Sequence, residues 1–371
     1  MRIAFVIPNL GAGGAERVAS LLCNEWAAQG HAVTAITFDV ADVRGFHPLD
    51  DSVALRQIDA VNRHANPVSR VATNLRRRSR LRAILRDLAP EVIVAFTTEA
   101  NVVTLWAAAG LGIPVVVSER NQPDRPGLGR LRRAARRLAY PRAAAIVVQS
   151  DAIAAWGRQH FRVPVHVLPN PVRRGAPPYR GAVQEGEKRL VAVGRLVWQK
   201  GFDRLIASFA RLAPKHPDWK LIIYGEGGER GALEAEIRRL SLGHRIAMPG
   251  VQTAMDRVFA EATLFVLPSR FEGYPNVLLE ALAAGCPVVA TNCPGATAEI
   301  LDEGRFGLLV TADDEDALSF GLDRMMSDEA LRAHYAATAR QAVEHLDVAA
   351  IGGRWLELFA ALGERDGGTN P

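Results

Sequence analysis

The chain has 371 residues, of which 49% are hydrophobic and 23% are charged, and its formal net charge is +5 at pH 7. This length suits two ordinary domains, and the composition excludes an intrinsically disordered protein. Its three cysteines, Cys23, Cys286 and Cys293, form neither a zinc-binding cluster nor a disulfide framework, which is typical of a reducing cytosol. No run approaches about 18 apolar residues, and the apolar start of the chain is too short for a signal peptide. We therefore predict a cytoplasmic protein without a membrane-spanning helix.

The basic residues are concentrated in the first half of the chain. Residues 1–180 contain 25 arginines, no lysine and 13 acidic residues, which gives +12, so residues 181–371 carry −7. A basic half is compatible with nucleic-acid binding, but no recognised DNA- or RNA-binding motif is present and no aromatic residues cluster with the arginines. Nucleic-acid binding is therefore a minor alternative for this chain.

Short apolar runs alternate with helical stretches from the N-terminus onward. Glu16–Gln29 has helical periodicity and is stopped by Gly30. Strands are predicted at Ile3–Ile7, His31–Phe38, Val53–Ile58, Glu91–Phe96, Pro114–Ser118, Ala144–Val148 and His166–Leu168. Continuous apolar runs such as Val92–Val94 are typical of a sheet covered on both faces. The alternation predicts a doubly wound α/β domain over residues 1–172.

Residues 171–187 are rich in proline, glycine and charge, and we place an interdomain linker at 173–187. The rhythm restarts in a second domain at 188–346, with strands predicted at Arg189–Val193, Lys220–Tyr224, Ile246–Met248, Leu264–Leu267 and Pro287–Ala290. Helices are predicted at Phe202–Leu212, Gly231–Leu240 and Pro275–Ala284. A last helix at about 347–362 is expected to pack back on the first domain, and 363–371 to form a flexible tail. The sequence thus predicts two Rossmann-like domains with a ligand-binding cleft between them.

A glycine-rich loop, Asn9-Leu10-Gly11-Ala12-Gly13-Gly14-Ala15-Glu16, directly follows the first strand. Glycines let the backbone pass close to a ligand, and the N-terminus of the next helix favours an anion. The loop departs from the dinucleotide-binding GxGxxG pattern because Glu16 stands at the last glycine position. By itself it fits either a phosphate-binding loop or a tight strand-to-helix connection.

Two cations, Arg195 and Lys200, follow the first strand of the second domain in a loop bounded by Gly194 and Gly201. The chain has only four lysines, so the position of this one is informative. An arginine fork and a lysine point charge would together suit a diphosphate, although a solvated loop would also tolerate them.

The most specific motif runs from Ser269 to Glu280 and reads SRFEGYPNVLLE. A loop with Glu272 and Gly273 follows a predicted strand, and Pro275 suits the first turn of a helix. That helix would direct its N-terminal N–H groups at an anion. The two carboxylates of the E-x7-E pattern would accept hydrogen bonds from two pairs of vicinal hydroxyls, one on each side of the anion.

Together with GRLVWQKGFDRLI, LIIYGEG and FEGYPNVLLEALAAGCPVVAT, these motifs resemble the retaining glycosyltransferases of family 4, which have the GT-B fold. Bacterial members that build cell-surface glycans are the most similar, and GGAERV resembles the N-terminal donor loop of a subset of the family. The resemblance covers nearly the whole chain. It implies a metal-independent hexosyltransferase without a cofactor, which retains anomeric configuration by front-face attack. The donor would be a nucleotide-diphosphate sugar, with UDP favoured, and the acceptor a lipid-linked glycan or polysaccharide.

The resemblance also implies roles for individual residues. Arg195 and Lys200 would bind the donor diphosphate, Glu272 would hold the transferred sugar, and Glu280 would bind the ribose; Glu272, Arg195 and Lys200 are the predicted catalytic residues. Further donor contacts are expected from Gly13, Gly14, Gly225, Val251, Gly273, Tyr274, Pro275, Asn276 and Val277. No metal site is implied.

The chain departs from the family pattern after the strand that ends at Ser118. Many members carry a histidine there, whereas this chain continues with Glu119, Arg120 and Asn121. Glu119 and Arg120 are therefore candidates either for contact with the sugar or acceptor or for a structural loop. Pro169-Asn170-Pro171 likewise replaces the usual Pro-Asn-Gly, which leaves the hinge geometry open.

A nucleotide-sugar epimerase also uses two such domains and is the alternative reaction. The two readings differ in whether product forms without an acceptor. The E-x7-E motif favours transfer.

Two arginine-rich segments, Arg70–Arg86 and Arg130–Arg142, contain seven and six arginines. Each has apolar residues at helical spacing within it or directly beside it, namely Val71, Leu75, Ile84, Leu85 and Leu88 for the first and Leu128, Leu131, Ala135 and Leu138 for the second. The spacing predicts amphipathic helices with cationic faces opposite apolar ones. We predict that these faces contact anionic lipid or a lipid-linked acceptor at the inner face of the plasma membrane. A solvated face in an arginine-rich chain would also explain the pattern.

Overall fold

The computed structural model describes residues 1–39, 45–58, 67–120, 129–173, 179 and 187–367, with the side chains of 67–71 and 365–367 left out. The chain divides into two compact units. Unit 1 comprises Met1–Pro171 and Val348–Pro371, and unit 2 comprises Val172–Asp347. Of the predicted linker 173–187, residues 174–178 and 180–186 lie outside the described residues.

Unit 1 contains a parallel sheet of seven strands. The strands are β1 (Arg2–Ile7), β2 (Ala32–Thr37), β3 (Ala54–Gln57), β4 (Val92–Phe96), β5 (Val115–Ser118), β6 (Ala145–Val148) and β7 (Val165–Val167), in the order β3-β2-β1-β4-β5-β6-β7. The helices between them are α1 (Gly14–Ala28), α2 (Pro67–Leu88), α3 (Thr98–Ala108), α4 (Arg130–Ala139) and α5 (Asp151–His160). Every predicted strand of this half is present. The central strands β4, β5 and β6 are fully buried, as expected for apolar runs in a sheet covered on both faces, whereas the edge strands β3 and β7 are not.

Unit 2 repeats the pattern with six parallel strands. These are β8 (Lys188–Val193), β9 (Trp219–Tyr224), β10 (Ile246–Gly250), β11 (Leu264–Leu267), β12 (Val288–Asn292) and β13 (Leu308–Thr311), in the order β10-β9-β8-β11-β12-β13. The helices are α6 (Phe202–Leu212), α7 (Arg230–Arg239), α8 (Met255–Glu261), α9 (Asn276–Ala284), α10 (Thr297–Ile300), α11 (Glu315–Ser327) and α12 (Glu329–Thr338). The predicted strands are present, but the sequence did not predict β13. This edge strand is short, and only one of its four residues is buried.

The last helix, α13 (Val348–Gly367), belongs to unit 1. It packs on α1, where Trp26 Nε1 donates to the carbonyl oxygen of Gly352 at 3.2 Å. Trp26 also meets the rings of Trp355 and Phe359 edge-on, at 6.2 and 5.4 Å between centroids. The helix continues to Gly367, and residues 368–371 lie outside the described residues, so the flexible tail at 363–371 stays a prediction.

Each sheet has a position where the strand order reverses. In unit 1 the reversal falls between β1 and β4, and in unit 2 between β8 and β11. In open α/β sheets, ligands bind outside the carboxyl ends of the strands at such a switch point. The segments that follow β8 and β11 are therefore the place to look for the predicted site.

Candidate active site

Lys200 and Glu272 meet at the carboxyl edge of the unit 2 sheet. Because β8 and β11 are adjacent and parallel, the segments that follow them leave the sheet side by side. Lys200 Nζ lies 2.6 Å from Glu272 Oε1, and Ser269 Oγ donates to the same oxygen at 2.5 Å. The side chains of Lys200 and Glu272 are only 14% and 6% exposed. The structure thus brings two of the three predicted catalytic residues into one ion pair that is largely removed from bulk water.

The backbone of Glu272 is held by the loop between β12 and α10. Glu272 N donates to the carbonyl oxygen of Pro294 at 2.9 Å, and Ala296 N donates to that of Gly273 at 3.1 Å. Gly295 lies between these two bonds with φ +137°, and a Cβ at this position would lie 2.4 Å from the carbonyl oxygen of Glu272. Only glycine fits this close approach. The sequence motifs did not identify Gly295 as part of the site.

Arg270 connects the loop of Lys200 with the loop of Glu272. Its guanidinium donates to the two carboxylate oxygens of Asp203 at 2.8 and 2.6 Å and to the carbonyl oxygen of Trp198 at 2.7 Å. It also lies over the Trp198 ring, 4.6 Å from the centroid. The hydrogen bonds to Asp203 raise the pKa of Arg270 above its usual value. Arg270 therefore fixes the spacing of the two loops. The sequence alone could not predict this role, because it depends on the contact of Arg270 with Asp203 in α6.

Arg195, the third predicted catalytic residue, does not join the ion pair. Its side chain is exposed and has no hydrogen-bond or ion-pair partner among the described residues. An exposed guanidinium after β8 is available to a ligand. Its role in binding a diphosphate stays a prediction.

The predicted contacts from Gly273 to Glu280 surround the start of α9. This helix begins at Asn276, so Pro275 is the residue that caps it and not its first residue. The first turn, with Asn276 and Val277, directs its backbone N–H groups out of the helix end, which is the feature that favours an anion. Glu280 is partly buried in the second turn of α9. Tyr274, in the loop before the helix, is also largely buried, and burial raises the pKa of its hydroxyl.

Gly225 and Val251 lie at the same edge of the sheet. Gly225 N donates to the carbonyl oxygen of Gly250 at 2.9 Å. Gly225 has φ +145°, and a Cβ there would lie 1.9 Å from the carbonyl oxygen of Gly194, so glycine is required for the two loops to pack. Val251, which follows β10, is 44% exposed. The contact of Gly225 and Val251 with the donor stays a prediction.

In unit 1, Gly13 and Gly14 form the junction of the glycine-rich loop with α1. Gly13 caps the helix, and a Cβ on Gly13 would lie 2.1 Å from Glu16 Oε2, so the Glu16 side chain folds back over it. His47 packs beside this loop, with its Nε2 buried and without a hydrogen-bond partner in the described part of the chain. Burial first, and then the charge of Arg17, lower the pKa of His47 to about 4 despite a hydrogen bond to the Gly13 backbone. The sequence reasoning missed His47, which is separated from the motif by more than one element.

The structure distinguishes Glu119 from Arg120. Glu119 is 1% exposed, and its carboxylate accepts hydrogen bonds from Thr98 Oγ1 at 2.7 Å and from the Tyr140 hydroxyl at 2.5 Å. These contacts lie inside unit 1, which supports the structural alternative for Glu119. Arg120 donates through Nη1 to Asn170 Oδ1 and lies over the Phe96 ring at 3.7 Å. Asn121 lies outside the described residues.

The arginine-rich helix α2 buries a stripe that agrees only in part with the one predicted. Thr73, Arg77, Leu81 and Leu85 face inward at four-residue spacing, whereas Leu75 is 58% exposed. Arg77 is buried because it pairs with Glu99 and lies over the Phe38 ring at 4.7 Å. The prediction is therefore wrong for Leu75 and for Arg77, whereas Leu85 is buried and Ile84 and Leu88 pack on the core as predicted. The side chains of Arg70 and Val71 lie outside the described residues.

Helix α4 shows the same correction more clearly. Arg136 is 5% exposed and lies over the Trp156 ring at 4.4 Å, while Leu131 and Leu138 are 87% and 65% exposed. The two leucines thus share the surface with Arg132, Arg133 and Arg137, and do not form a face packed on the core. Leu128 lies outside the described residues.

Two family models match the chain, one for each half. "Glycosyltransferase Family 4" matches residues 12–174, and "Glycosyl transferases group 1" matches residues 180–342. Among curated proteins, a GalNAc-α-(1→4)-GalNAc-α-(1→3)-diNAcBac-PP-undecaprenol α-1,4-N-acetyl-D-galactosaminyltransferase of Campylobacter jejuni is 26% identical over 97% of this chain and 98% of its own. An exopolysaccharide phosphotransferase of Streptomyces coelicolor is 36% identical over 53% of this chain, a match that spans only 21% of that protein.

Solved structures show the same fold over the whole chain. A sucrose-phosphate synthase from Thermosynechococcus elongatus superposes with a TM-score of 0.86 at 19% identity, covering 98% of this chain and 99% of its own. Anabaena Alr3699/HepE in complex with UDP superposes with a TM-score of 0.75 at 18% identity, covering 97% and 100%. The two doubly wound units and these neighbours confirm the GT-B fold. With both halves matched by glycosyltransferase models, the chain belongs to the family 4 glycosyltransferases.

Proposed function

We propose that this glycosyltransferase moves a hexosyl or N-acetylhexosaminyl group from a UDP-sugar to a lipid-linked or polysaccharide acceptor in the synthesis of a bacterial surface glycan. The observation that carries the proposal is the ion pair of Lys200 and Glu272. Glu272 precedes the first residue of α9, Asn276, by four positions. A cation and a helix N-terminus suit a diphosphate, and a carboxylate suits sugar hydroxyls. The name of the Campylobacter relative includes an undecaprenol diphosphate, and the Anabaena structure contains UDP, which supports the choice of acceptor and nucleotide.

The chemistry follows from where charge develops. When the bond between the anomeric carbon and the diphosphate breaks, negative charge builds on the leaving phosphate, and Lys200, Arg195 and the start of α9 would neutralise it. Glu272 would hold the transferred sugar through its hydroxyls, and Glu280 would accept from the ribose. Because these groups supply the positive charge themselves, the proposed reaction needs no metal ion. No enzymic nucleophile is assigned, so retention would arise from attack by the acceptor on the face that the leaving group vacates.

A screen of nucleotides and nucleotide-sugars tests the proposal. A ligand present at about 100 times its dissociation constant should add about 2.7 kcal/mol to the free energy of unfolding. We expect thermal denaturation to shift upward with UDP and with one UDP-sugar, and to shift less with GDP. The stabilising sugar nucleotide should then give a product that retains anomeric configuration when acceptor is added. Absence of stabilisation by every sugar nucleotide would contradict the proposal, and an epimerised sugar formed without acceptor would favour the epimerase.

We also propose that α4 contacts the membrane on which a lipid-linked acceptor would reside. Helix α4 presents two exposed leucines, Leu131 and Leu138, among exposed arginines. Exposed apolar side chains within a basic surface suit the boundary between lipid headgroups and acyl chains. Each basic residue near an anionic surface contributes about 1 kcal/mol. No helix in the described part of the chain is both long and apolar enough to span a membrane.

Replacing both Leu131 and Leu138 with glutamate should abolish co-sedimentation with vesicles that contain phosphatidylglycerol. The reason is that the change removes apolar contact and places acidic groups against an anionic surface. Phe320→Glu is the control, because Phe320 is equally exposed at 71% but lies in unit 2. Unchanged co-sedimentation of the double variant, or equal binding of wild type to vesicles of neutral lipid, would contradict this contact.

A further inference from the structure

Arg120, Gln149 and Asn170 gather at the carboxyl edge of the unit 1 sheet. β5 and β6 are parallel with Ser118 opposite Val147, so the same register places Arg120 opposite Gln149 just beyond the strand ends. Glu119 N donates to the carbonyl oxygen of Val147 at 3.1 Å, which continues the ladder beyond Ser118. Arg120 Nη1 donates to Asn170 Oδ1 beyond the end of β7. Three consecutive strands therefore each supply one polar side chain to one place.

Four polar atoms of this cluster are buried without a hydrogen-bond partner in the part of the chain that the structure describes. They are Arg120 Nε, Arg120 Nη2, Gln149 Nε2 and Gln149 Oε1. Gln149 is only 1% exposed and Asn170 only 4%, whereas Arg120 is partly exposed, so the cluster lies next to the surface. Buried polar groups are normally paired, because an unpaired one gives up its hydrogen bonds to water without a replacement. A cluster of four such atoms therefore points to a missing partner.

The unpaired atoms of Arg120 have the geometry of a binding fork. Nε and Nη2 lie on the same edge of the guanidinium, and their two N–H groups point in parallel, as they do when arginine binds two oxygens of a phosphate or carboxylate. Asn170 and the Phe96 ring, 3.7 Å from the guanidinium carbon, hold the plane of the group. The neighbouring carboxylate of Glu119 is held by Thr98 and Tyr140. The fork is thus held in one orientation, with Nε and Nη2 unpaired in the described part of the chain.

The electrostatic setting favours an anion as the missing partner. Burial lowers the pKa of Arg120 to about 9. The group still carries its charge at neutral pH, and low surrounding polarity strengthens its attraction for an anion. Thr97, whose N donates to the carbonyl oxygen of Ser118, has φ +75°, and such strained conformations concentrate at ligand sites.

We propose that Arg120 and Gln149 form a binding site for an oxyanion of the acceptor, with a phosphate ester as the group that the fork fits. The inference rests on the proposed function and deepens it by naming an anionic acceptor. Arg120 binds two oxygens of the anion through Nε and Nη2. The Gln149 amide donates to a third oxygen or accepts from a neighbouring hydroxyl. Asn170 is a positioning residue, since it acts through Arg120.

Titration of methyl phosphate into the full chain, with saturating UDP to fill the donor site, tests the proposal. Line broadening in ³¹P NMR reports binding, and a parallel titration with glucuronate distinguishes a carboxylate from a phosphate. Arg120→Lys keeps the charge but loses the fork, so the affinity for methyl phosphate should fall about 10-fold or more. Arg158→Lys, at an exposed position on α5, is the matched control and should leave the affinity unchanged.

Gln149→Glu keeps the test decisive if Arg120→Lys folds poorly. The new carboxylate would pair with the Arg120 fork, so methyl phosphate binding should disappear while the melting temperature stays equal or rises. Unchanged binding of methyl phosphate in both variants would overturn the proposal. So would a crystal structure, determined from crystals soaked in methyl phosphate, that shows only water between Arg120 and Gln149. Stronger binding of glucuronate than of methyl phosphate would overturn the choice of a phosphate ester. If methyl phosphate binds through Arg120 but no sugar nucleotide is used, the proposed function fails and the anion site stands.

Discussion

Replacing Lys200 with alanine should lower kcat/KM for the UDP-sugar by about 10²- to 10³-fold, which is the usual effect of removing one group that stabilises developing negative charge. Lys200 Nζ lies 2.6 Å from Glu272 and is largely shielded from water, so its charge acts at short range in a medium of low polarity. Its removal also leaves the Glu272 carboxylate beside the diphosphate, where the two like charges repel each other. We therefore expect weaker binding of UDP as well as slower transfer. Steady-state kinetics and calorimetric titration with UDP measure the two effects.

The chain contains a matched control for this substitution. Lys220 forms a similar lysine–glutamate pair, with its Nζ 2.7 Å from Glu187 Oε2, but its side chain is 47% exposed. Exposed pairs of this kind contribute about 0–1 kcal/mol to stability, so Lys220→Ala should leave kcat/KM and UDP binding nearly unchanged. Wild-type kcat/KM in the Lys200 variant, or equal losses in both variants, would remove Lys200 from the proposed mechanism.

The strands were predictable because parallel sheets covered on both faces impose a strong pattern on the sequence. Runs such as Val92–Phe96 and Leu264–Leu267 are fully buried, and each was identified within one residue of its bounds. β13 was missed although Leu308–Val310 is a short apolar run, because this strand pairs only with β12 at the sheet edge and only one of its four residues is buried. Helix phase was harder, since Arg77 and Arg136 are buried by partners far away in the chain, Glu99 and Trp156.

The residues of the candidate site likewise divide into those that the sequence could predict and those that it could not. Lys200 and Glu272 belong to motifs that are compact in sequence, so their proximity could be expected from adjacent parallel strands. Gly295 and the pair of Arg270 with Asp203 could not, because each depends on a contact between separate loops. Gln149 was also missed, since a single glutamine after a strand is unremarkable until the register of β5 and β6 is continued past Ser118 and Val147, which places Arg120 opposite it.

Replacing Glu272 with glutamine should separate sugar recognition from nucleotide binding. The amide preserves the shape of the side chain but removes the charge that pairs with Lys200 and accepts from Ser269. We expect kcat/KM for the UDP-sugar to fall by about 10²-fold, because the sugar hydroxyls lose a charged acceptor. The affinity for UDP alone should stay unchanged or increase, since Lys200 is then left with the diphosphate as its only counter-charge. Kinetics with the UDP-sugar and calorimetry with UDP give the two values.

Glu187→Gln is the matched control, since it breaks the exposed pair with Lys220 and should change neither value. The double variant of Lys200→Ala with Glu272→Gln adds a second test. Because the two side chains are in contact, their effects should not add, and the coupling should amount to about 0.5–3 kcal/mol. A parallel loss of affinity for UDP and UDP-sugar in Glu272→Gln would mean that Glu272 only orients Lys200. The sugar would then be recognised elsewhere, and the backbone of Gly273 to Val277 at the start of α9 would be the next place to test.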